Sequence, residues 1–258
     1  MGGRGEGVCD GFGAEGGDGM RFVSLFAGIG GLDLGLERSG MRCVGQVEID
    51  PYCRAVLAKH WPDVPKMEDV REFQGHEFGE FDWLVGGFPC QDVSNAGLRA
   101  GISAPRSGLY GEIVRCLRVV RPLGAVLENV AALLVRGMGR VLGDLAEVGY
   151  DAEWDCIPAC AVGAPHCRDR VFIIADAQRD QQPRKEPRRW SLGRVGREQQ
   201  PIPWDRPWEV ALAEFRGVDD GIPRCVERTD AIRNAVVPQV AEVIGRAIME
   251  SLARKEIQ

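Results

Sequence analysis

The stretch Gly86-Gly87-Phe88-Pro89-Cys90 combines a thiol with a stiff backbone. The apolar run Trp83-Leu84-Val85 before it predicts a buried strand that ends on the two glycines, which permit a sharp turn. Pro89 fixes its own φ and favours an extended conformation at Phe88. We therefore expect Cys90 on a rigid loop at the carboxyl end of a strand, where open α/β sheets bind ligands. The loop alone leaves two interpretations open, a nucleophilic thiol and a small hydrophobic cysteine of the core.

A second candidate for chemistry is Glu128, which follows the apolar run Ala125-Val126-Leu127. A carboxyl group beside such a buried strand is costly to desolvate, so its pKa should rise toward neutrality. A carboxyl group that holds a proton near neutral pH is suited to general acid catalysis. The other interpretation is an acid that ends a strand and caps a helix.

Two arginines, Arg168 and Arg170, stand just before the apolar run Val171-Phe172-Ile173-Ile174. Alternate residues of a strand point to the same side, so both guanidinium groups are expected to face one site. A pair of guanidinium groups suits an anionic or carbonyl-rich ligand.

A glycine-rich turn near the start of the chain predicts a ligand site of another kind. The strand Arg21–Phe26 leads into Ala27-Gly28-Ile29-Gly30-Gly31, and a helix follows that ends near Gly40. Such a turn presents backbone groups to a nucleotide-like cofactor at a helix N-terminus. The glycines do not have the G-x-G-x-x-G spacing of the dinucleotide fingerprint.

Two carboxylates follow the next predicted strands. Glu48 ends the run Cys43–Val47 and lies 20 residues after Gly28, where an acid accepts hydrogen bonds from ribose hydroxyls. Asp69 follows Met67-Glu68 and is placed to receive an adenine amino group. A solvated loop acid is the alternative at both positions.

The remaining pattern predicts helices at about 51–60, 107–121, 139–148 and 239–254, and strands at about 153–157 and 170–175. Strands that alternate with helices are typical of an α/β protein. We therefore predict a doubly wound, mostly parallel sheet.

Composition divides the chain of 258 residues into four segments. Residues 1–20 are glycine-rich and predicted to be a disordered tail, and 21–176 hold the catalytic and cofactor-binding domain. Residues 177–228 form a basic region in a chain of net charge −6, with tryptophans between the arginines. This pattern, which includes Arg188 and Arg189, is typical of contacts to a phosphate backbone, although a solvated linker would look similar. Residues 229–258 form a C-terminal segment whose helix returns to the first domain.

The nine cysteines are an odd number, and without a signal peptide we expect them to be reduced in a cytoplasmic protein. Cys156 and Cys160 lack a second Cys/His pair, so no metal is expected. No apolar run is long enough to span a bilayer, so no membrane is expected either. We expect a monomer.

Five motifs, in their order and spacing, resemble the DNA cytosine-5 methyltransferases, and the short recognition region resembles phage or prophage members. They are Phe26-Ala27-Gly28-Ile29-Gly30-Gly31, Gly87-Phe88-Pro89-Cys90-Gln91, Glu128-Asn129-Val130, Arg168-x-Arg170 and Asn234-Ala235-Val236-Val237-Pro238. The resemblance implies the class I S-adenosylmethionine-dependent methyltransferase fold with a small irregular target-recognition lobe. It also implies bacterial or phage origin, and double-stranded DNA as substrate.

The resemblance also assigns roles. Cys90 would be the nucleophile that adds to C6 of a flipped-out cytosine, and Glu128 the partner of N3. Arg170, with Arg168, would contact the base, and Ser94 would contact DNA. The cofactor S-adenosylmethionine would be bound by Phe26, Gly28, Gly30, Glu48, Asp69, Leu109, Asn234 and Val236.

Two positions depart from the family pattern. His166 stands where the family usually has glutamine, and Arg233 stands where a glycine usually precedes Asn234. Two other functions stay open, of which only the second is motivated by these departures. One is a tRNA cytosine-5 methyltransferase, because one branch of the family methylates RNA with the same set of residues. The other is a DNA-binding module that has lost turnover.

Overall fold

A computed structural model describes residues 19–89, 108–164, 166–177, 231 and 234–253. Several predicted features lie outside these ranges. They are the disordered tail except its last two residues, the basic region with Arg188 and Arg189 except its first residue, and Cys90, Ser94 and Arg233. The strands are β1 Arg21–Leu25, β2 Arg42–Val47, β3 Lys66–Met67, β4 Trp83–Gly87, β5 Gly124–Val130, β6 Tyr150–Pro158 and β7 Asp169–Ala177. The helices are α1 Gly31–Arg38, α2 Pro51–His60, α3 Gly108–Val120, α4 Leu133–Arg136, α5 Met138–Glu147 and α6 Pro238–Ala253.

The strands form one sheet in the order β3-β2-β1-β4-β5-β7-β6. The five strands β3, β2, β1, β4 and β5 are parallel to one another, whereas β7 is antiparallel to both β5 and β6. The chain order reverses between β1 and β4, and a crevice opens at the carboxyl ends of the strands at such a point. The predicted fold class, a doubly wound and mostly parallel α/β sheet, is confirmed.

Successive residues of the central strands supply two cores, one on each face of the sheet. On β5, Ala125 and Leu127 join the core of one face, which includes Ile113 of α3, and Val126 joins the core of the other. The second core is completed by α1 and α6, for example by Ile244. Burying alternate side chains on both sides explains why these strands read as continuous apolar runs.

The C-terminal helix α6 packs very closely against α1. A Cβ atom built on Gly35 of α1 would lie 2.1 Å from the carbonyl oxygen of Pro238, so only glycine allows this approach. The packing brings the segment that begins at Asn234 next to the glycine turn between β1 and α1.

Strand β6 and helix α4 depart from the pattern that the sequence predicts. β6 begins at Tyr150 rather than Glu153, because pairing with β7 extends along its whole length. It is an edge strand whose acids, such as Asp151, hide the strand pattern. α4 is a single short helix of four residues that the periodicity did not predict.

The prediction of reduced cysteines is wrong for one pair. Cys160 and Cys167 form a disulfide, with their Cα atoms 4.8 Å apart. The 3₁₀ turn Ala159–Val162 ends at Gly163, whose φ of 86° reverses the chain and brings the two cysteines together. Among the described cysteines, four are free thiols: Cys43, Cys53, Cys116 and Cys156.

The helices that the structure describes include none with the length and apolarity needed to cross a membrane.

Candidate active site

A cleft of about 1270 Å³ opens at the carboxyl ends of the parallel strands. It has two ends. The glycine-turn end is lined by Phe26, Gly28, Glu48, Asp69, Leu109, Asn234 and Val236, and the Glu128 end by Glu128, Arg168 and Arg170. The cleft therefore brings together ten of the eleven described residues that the sequence singles out. The exception, Gly30, lies outside the lining, and a Cβ atom at this position would overlap the ring of Trp61.

The turn after β1 has a backbone that few residues adopt. Phe26 has a φ of 54°, and Gly28 and Gly30 have φ values of 57° and 83°. A left-handed conformation at a bulky residue such as Phe26 costs about 1–3 kcal/mol and is found mostly at functional sites. It places Phe26 in the lining of the cleft.

Glu48 fixes this turn through its carboxylate. Its Oε2 accepts a hydrogen bond from the backbone N–H of Gly28 at 2.7 Å, and its Oε1 accepts one from Asp50 at 2.8 Å. A carboxylate oxygen accepts two hydrogen bonds, so each oxygen retains one lone pair for a ligand. Glu48 therefore both shapes the turn and presents acceptors to the cleft.

Asp69 reaches the cleft with a partner that the sequence did not predict. Its Oδ1 accepts hydrogen bonds from the backbone N–H and from Nε of Arg71, both at 2.9 Å. These bonds hold the pKa of the Asp69 carboxyl below its usual range. Asp69 is therefore ionised near neutral pH and can accept a hydrogen bond from an amino group.

The C-terminal segment closes the glycine-turn end. A Cβ atom on Gly31 would lie 2.2 Å from the carbonyl oxygen of Val236, so glycine is required at this close approach. Asn234 and Val236 line the cleft beside the turn. Gly31 also lines it, although the sequence singled out only its neighbours.

The glycine-turn end fits the adenosyl part of S-adenosylmethionine. The ribose hydroxyls and the adenine amino group are donors, and Glu48 and Asp69 are acceptors that lie on adjacent strand ends. Ile49 lines the same cleft and is 59% exposed, so an apolar surface is available for an aromatic ring. The acceptors, the apolar surface and the glycine turn together match the chemistry of this cofactor.

The Glu128 end contains a buried ion pair. Nε of Arg170 lies 2.8 Å from Oε1 of Glu128, whose residue is only 8% exposed. Burial raises the pKa of the Glu128 carboxyl, and the positive charges of Arg170 and Arg168 oppose that rise without cancelling it. The result is a carboxyl group that is easier to protonate than an exposed glutamate.

Asn129 connects the ends of β4 and β5. Its side-chain amide donates a hydrogen bond to the carbonyl oxygen of Phe88 at 3.2 Å, and its Oδ1 accepts one from Val130 at 2.8 Å. In the pairing of the two strands, Gly87 lies opposite Glu128. The chain that leads through Pro89 toward Cys90 therefore leaves the sheet beside Glu128.

A buried polar cluster below the glycine turn escaped the sequence analysis. Asp33 of α1 is fully buried, and its carboxylate accepts hydrogen bonds from Ser24 at 2.6 Å and from Gln46 at 2.7 Å. Burial raises the pKa of Asp33 to about 6. The sequence offers one indication of this burial: Asp33 lies between Leu32 and Leu36, on the side of α1 that faces the sheet.

Comparison with known proteins places this geometry in context. The family described as C-5 cytosine-specific DNA methylase matches residues 20–201. Type II methyltransferase M2.BsuMI of Bacillus subtilis (strain 168) is 36% identical over 169 residues, which cover 62% of this chain and 43% of that protein. Type II methyltransferase M.BanI of Aneurinibacillus aneurinilyticus is 36% identical over 165 residues, which cover 60% of this chain and 38% of that protein. The match therefore spans about two fifths of the length of these curated relatives.

Solved structures share the fold. A protein assigned as a DNA modification methyltransferase, encoded within a prophage of E. coli, has a TM-score of 0.63 at 18% identity, and the alignment covers 91% of this chain and 99% of that one. The Dnmt2 methyltransferase of S. pombe has a TM-score of 0.58 at 14% identity, with coverage of 93% and 99%.

Proposed function

Since the chain belongs to the family of C-5 cytosine-specific DNA methylases, we propose that it transfers a methyl group from S-adenosylmethionine to C5 of cytosine in double-stranded DNA. DNA methyltransferases of this family use S-adenosylmethionine as methyl donor. The observation that carries the proposal is the buried Glu128–Arg170 pair, which shares one cleft with the carboxylates Glu48 and Asp69.

The glycine-turn end would hold the cofactor. Glu48 would accept hydrogen bonds from the ribose hydroxyls and Asp69 from the adenine amino group. Phe26, Gly28, Leu109, Asn234 and Val236 would complete the contacts. When bound, S-adenosylmethionine supplies an electrophilic methyl group on its sulfonium.

The Glu128 end would act on the base. Cytosine C5 is a poor nucleophile, so the ring must be activated, and a thiolate that adds to C6 achieves this. After C5 has been methylated, loss of the C5 proton expels the thiolate from C6 and restores the ring. Cys90 is proposed to supply that thiolate, and Gly87, the last residue of β4 and three positions before Cys90, lies opposite Glu128. The target cytosine must leave the duplex to reach this end of the cleft.

Glu128 would hold a proton or a hydrogen bond at N3 while negative charge develops on the ring. Its raised pKa serves this role, because a carboxyl group that is easier to protonate than an exposed glutamate is better suited to act as an acid. Arg170 fixes the carboxyl through the 2.8 Å contact. Arg168, which lines the same end of the cleft, is proposed to contact the base.

DNA is favoured over tRNA as substrate because the family and the curated relatives are named for DNA methylation or Type II modification. We therefore propose a modification enzyme of the Type II kind. Ser94, Arg188 and Arg189 are proposed to contact the DNA.

Tritiated S-adenosylmethionine tests the proposal. The full chain is incubated with double-stranded DNA or with tRNA, and the modified nucleoside is identified after digestion. We expect label in 5-methylcytosine from DNA. Label in tRNA alone would support the RNA alternative, and cofactor binding without transfer to either substrate would support the module that has lost turnover.

A further inference from the structure

Arg54 connects two strand ends that carry the proposed cofactor contacts. It lies in the first turns of α2, and its side chain is 25% exposed. Its Nη1 donates hydrogen bonds to the carbonyl oxygens of Glu48 at 3.0 Å and Ile49 at 2.6 Å. Its Nη2 lies 3.1 Å from Oε2 of Glu68. One guanidinium group thus contacts the residues that follow β2 and the residue that follows β3.

The link matters because β3 is held weakly by the sheet. β3 has only two residues, and it pairs with β2 through Gln46↔Lys66 and Val47↔Met67. Two further backbone bonds extend the pairing by one residue at each end, from Glu48 N–H to the carbonyl oxygen of Met67 at 3.0 Å and from Gln46 N–H to that of Pro65 at 3.1 Å. β3 is also one of the two edge strands of the described sheet. The position of a short edge strand depends on contacts other than its backbone hydrogen bonds to the neighbouring strand.

Arg54 itself lies outside the lining of the cleft, whereas Glu48, Ile49 and Glu68 belong to it. Arg54 therefore contacts residues of the cleft lining without lining the cleft itself. Ile49 is fixed through its carbonyl oxygen, Glu48 through its backbone and Asp69 through its neighbour Glu68.

We propose that Arg54 is a positioning residue for cofactor binding, which sets the separation between the carboxylates of Glu48 and Asp69. The proposal rests on the use of S-adenosylmethionine proposed above. An arginine suits the role because its planar fork contacts two carbonyl oxygens and a carboxylate at once. A lysine offers a single ammonium at one point.

The test is equilibrium binding of S-adenosylhomocysteine to the full chain by calorimetry. We expect Arg54→Met to weaken binding about tenfold, the size of one hydrogen bond to a charged group. Arg54→Lys should restore part of the affinity. The matched control is Lys59→Met, an exposed cation in the last turn of the same helix, which should bind as the wild type does.

A second variant separates positioning from general loss of structure. Glu68→Gln breaks only the contact to the β3 side and should weaken binding about threefold, because Glu68 is 65% exposed. If both residues act through one link, Arg54→Met/Glu68→Gln should bind no more weakly than Arg54→Met alone. Thermal unfolding of each free protein shows whether it is folded, and if Arg54→Met does not fold, Glu68→Gln alone decides.

Wild-type affinity in Arg54→Met, or additive losses in the double variant, would overturn the proposal. If the wild type binds no S-adenosylhomocysteine, the proposed function fails and the positioning role fails with it. If the wild type binds and Arg54→Met binds equally well, only the positioning role fails.

Discussion

Glu48 and Glu128 stand at the carboxyl ends of two strands of the same sheet, yet their surroundings differ. Glu48 accepts hydrogen bonds from two backbone N–H groups, those of Gly28 and Asp50. Glu128 is 8% exposed and contacts a guanidinium group, that of Arg170. The fold places both glutamates at the ligand-binding edge, and the neighbours of each decide its chemistry.

This difference in surroundings separates the proposed role of Glu48 in binding the cofactor from the proposed role of Glu128 in the chemistry. Backbone donors fix the shape of Glu48 and leave acceptors free for the ribose hydroxyls that we propose it binds. Burial raises the pKa of Glu128, so this carboxyl is easier to protonate at the end of the cleft that is proposed to act on the base. We therefore expect changes at the glycine-turn end to affect cofactor affinity, and changes at the Glu128 end to affect the rate of chemistry.

The largest expected effect is the loss of the covalent adduct in Cys90→Ser. DNA that carries 5-fluorocytosine in the target site should trap the wild type as an adduct that survives denaturation, because the fluorine cannot leave as a proton does. Cys53, which lies at the glycine-turn end, has a pKa raised to about 12 by burial, so it is a thiol at neutral pH. Cys53→Ser and Cys116→Ser should therefore keep the adduct, which denaturing gel electrophoresis detects. An adduct in Cys90→Ser would remove Cys90 from the mechanism.

Next in size is the effect of Arg170→Met on stability. Without the guanidinium group, the Glu128 carboxylate is left buried near neutral pH, and such an unpaired charge costs about 3–5 kcal/mol. The folded-state pKa of Glu128 lies above its unfolded value, so stability falls as pH rises above the unfolded pKa, and the variant should lose more than the wild type. Urea unfolding at pH 5 and pH 8 measures this difference. Arg170→Met/Glu128→Gln should recover much of the loss, and a deficit that is equal at both pH values would contradict the pairing.

Asp33 is another buried carboxyl, and the hydrogen bonds to it come from two neutral side chains, those of Ser24 and Gln46. Its pKa of about 6 lies roughly two units above the unfolded value, so its ionisation should cost about 3 kcal/mol of stability at neutral pH. This cost appears as pH rises from about 4 through 6. The free energy of unfolding of Asp33→Asn relative to wild type should therefore increase over that range. A constant difference between pH 4 and pH 7 would show that Asp33 does not titrate in this way.

The smallest expected effect is that of Glu48→Gln. The amide puts an NH2 group in place of one carboxylate oxygen, so the side chain loses an acceptor and one of its two backbone hydrogen bonds, from Gly28 or from Asp50. Affinity for S-adenosylhomocysteine should therefore fall about tenfold. The rate at saturating cofactor should change little, because the lost interaction is equal in the ground and transition states. Calorimetry and single-turnover kinetics measure the two quantities. A large fall in rate with unchanged affinity would reverse the roles of the two glutamates.

Local pattern predicted most of the fold. The helix predicted at 51–60 is α2, and the apolar runs before Glu128 and after Arg170 are strands. The sequence predicted too short a β6 because this edge strand contains acidic residues, and an edge strand is not covered on all sides and so needs no continuous apolar run. The disulfide was missed because it depends on a turn geometry that spacing alone does not specify.

The candidate site was harder to predict where it depends on contacts between distant residues. Three contacts depend on which segments meet in the folded chain, and the order of the sequence does not reveal this. They are the contact of Arg71 with Asp69, that of Arg54 with the backbone of Glu48, and the hydrogen bonds of Asp33 with Ser24 and Gln46. The positions at strand ends were accessible because the carboxyl edge of a parallel sheet is where ligands bind. The roles of Cys90, Ser94, Arg188 and Arg189 stay predictions.

The central claim, that Glu128 takes part in the chemistry, is tested most directly by single-turnover methyl transfer with Glu128→Gln at saturating S-adenosylmethionine. The amide keeps the shape and can still donate a hydrogen bond, but it cannot deliver a proton. With Glu48→Gln as the matched control, we predict near-normal folding and cofactor affinity in Glu128→Gln and a rate constant lower by on the order of 10²-fold or more. A Glu128→Gln protein that methylates DNA at close to the wild-type rate would contradict the account.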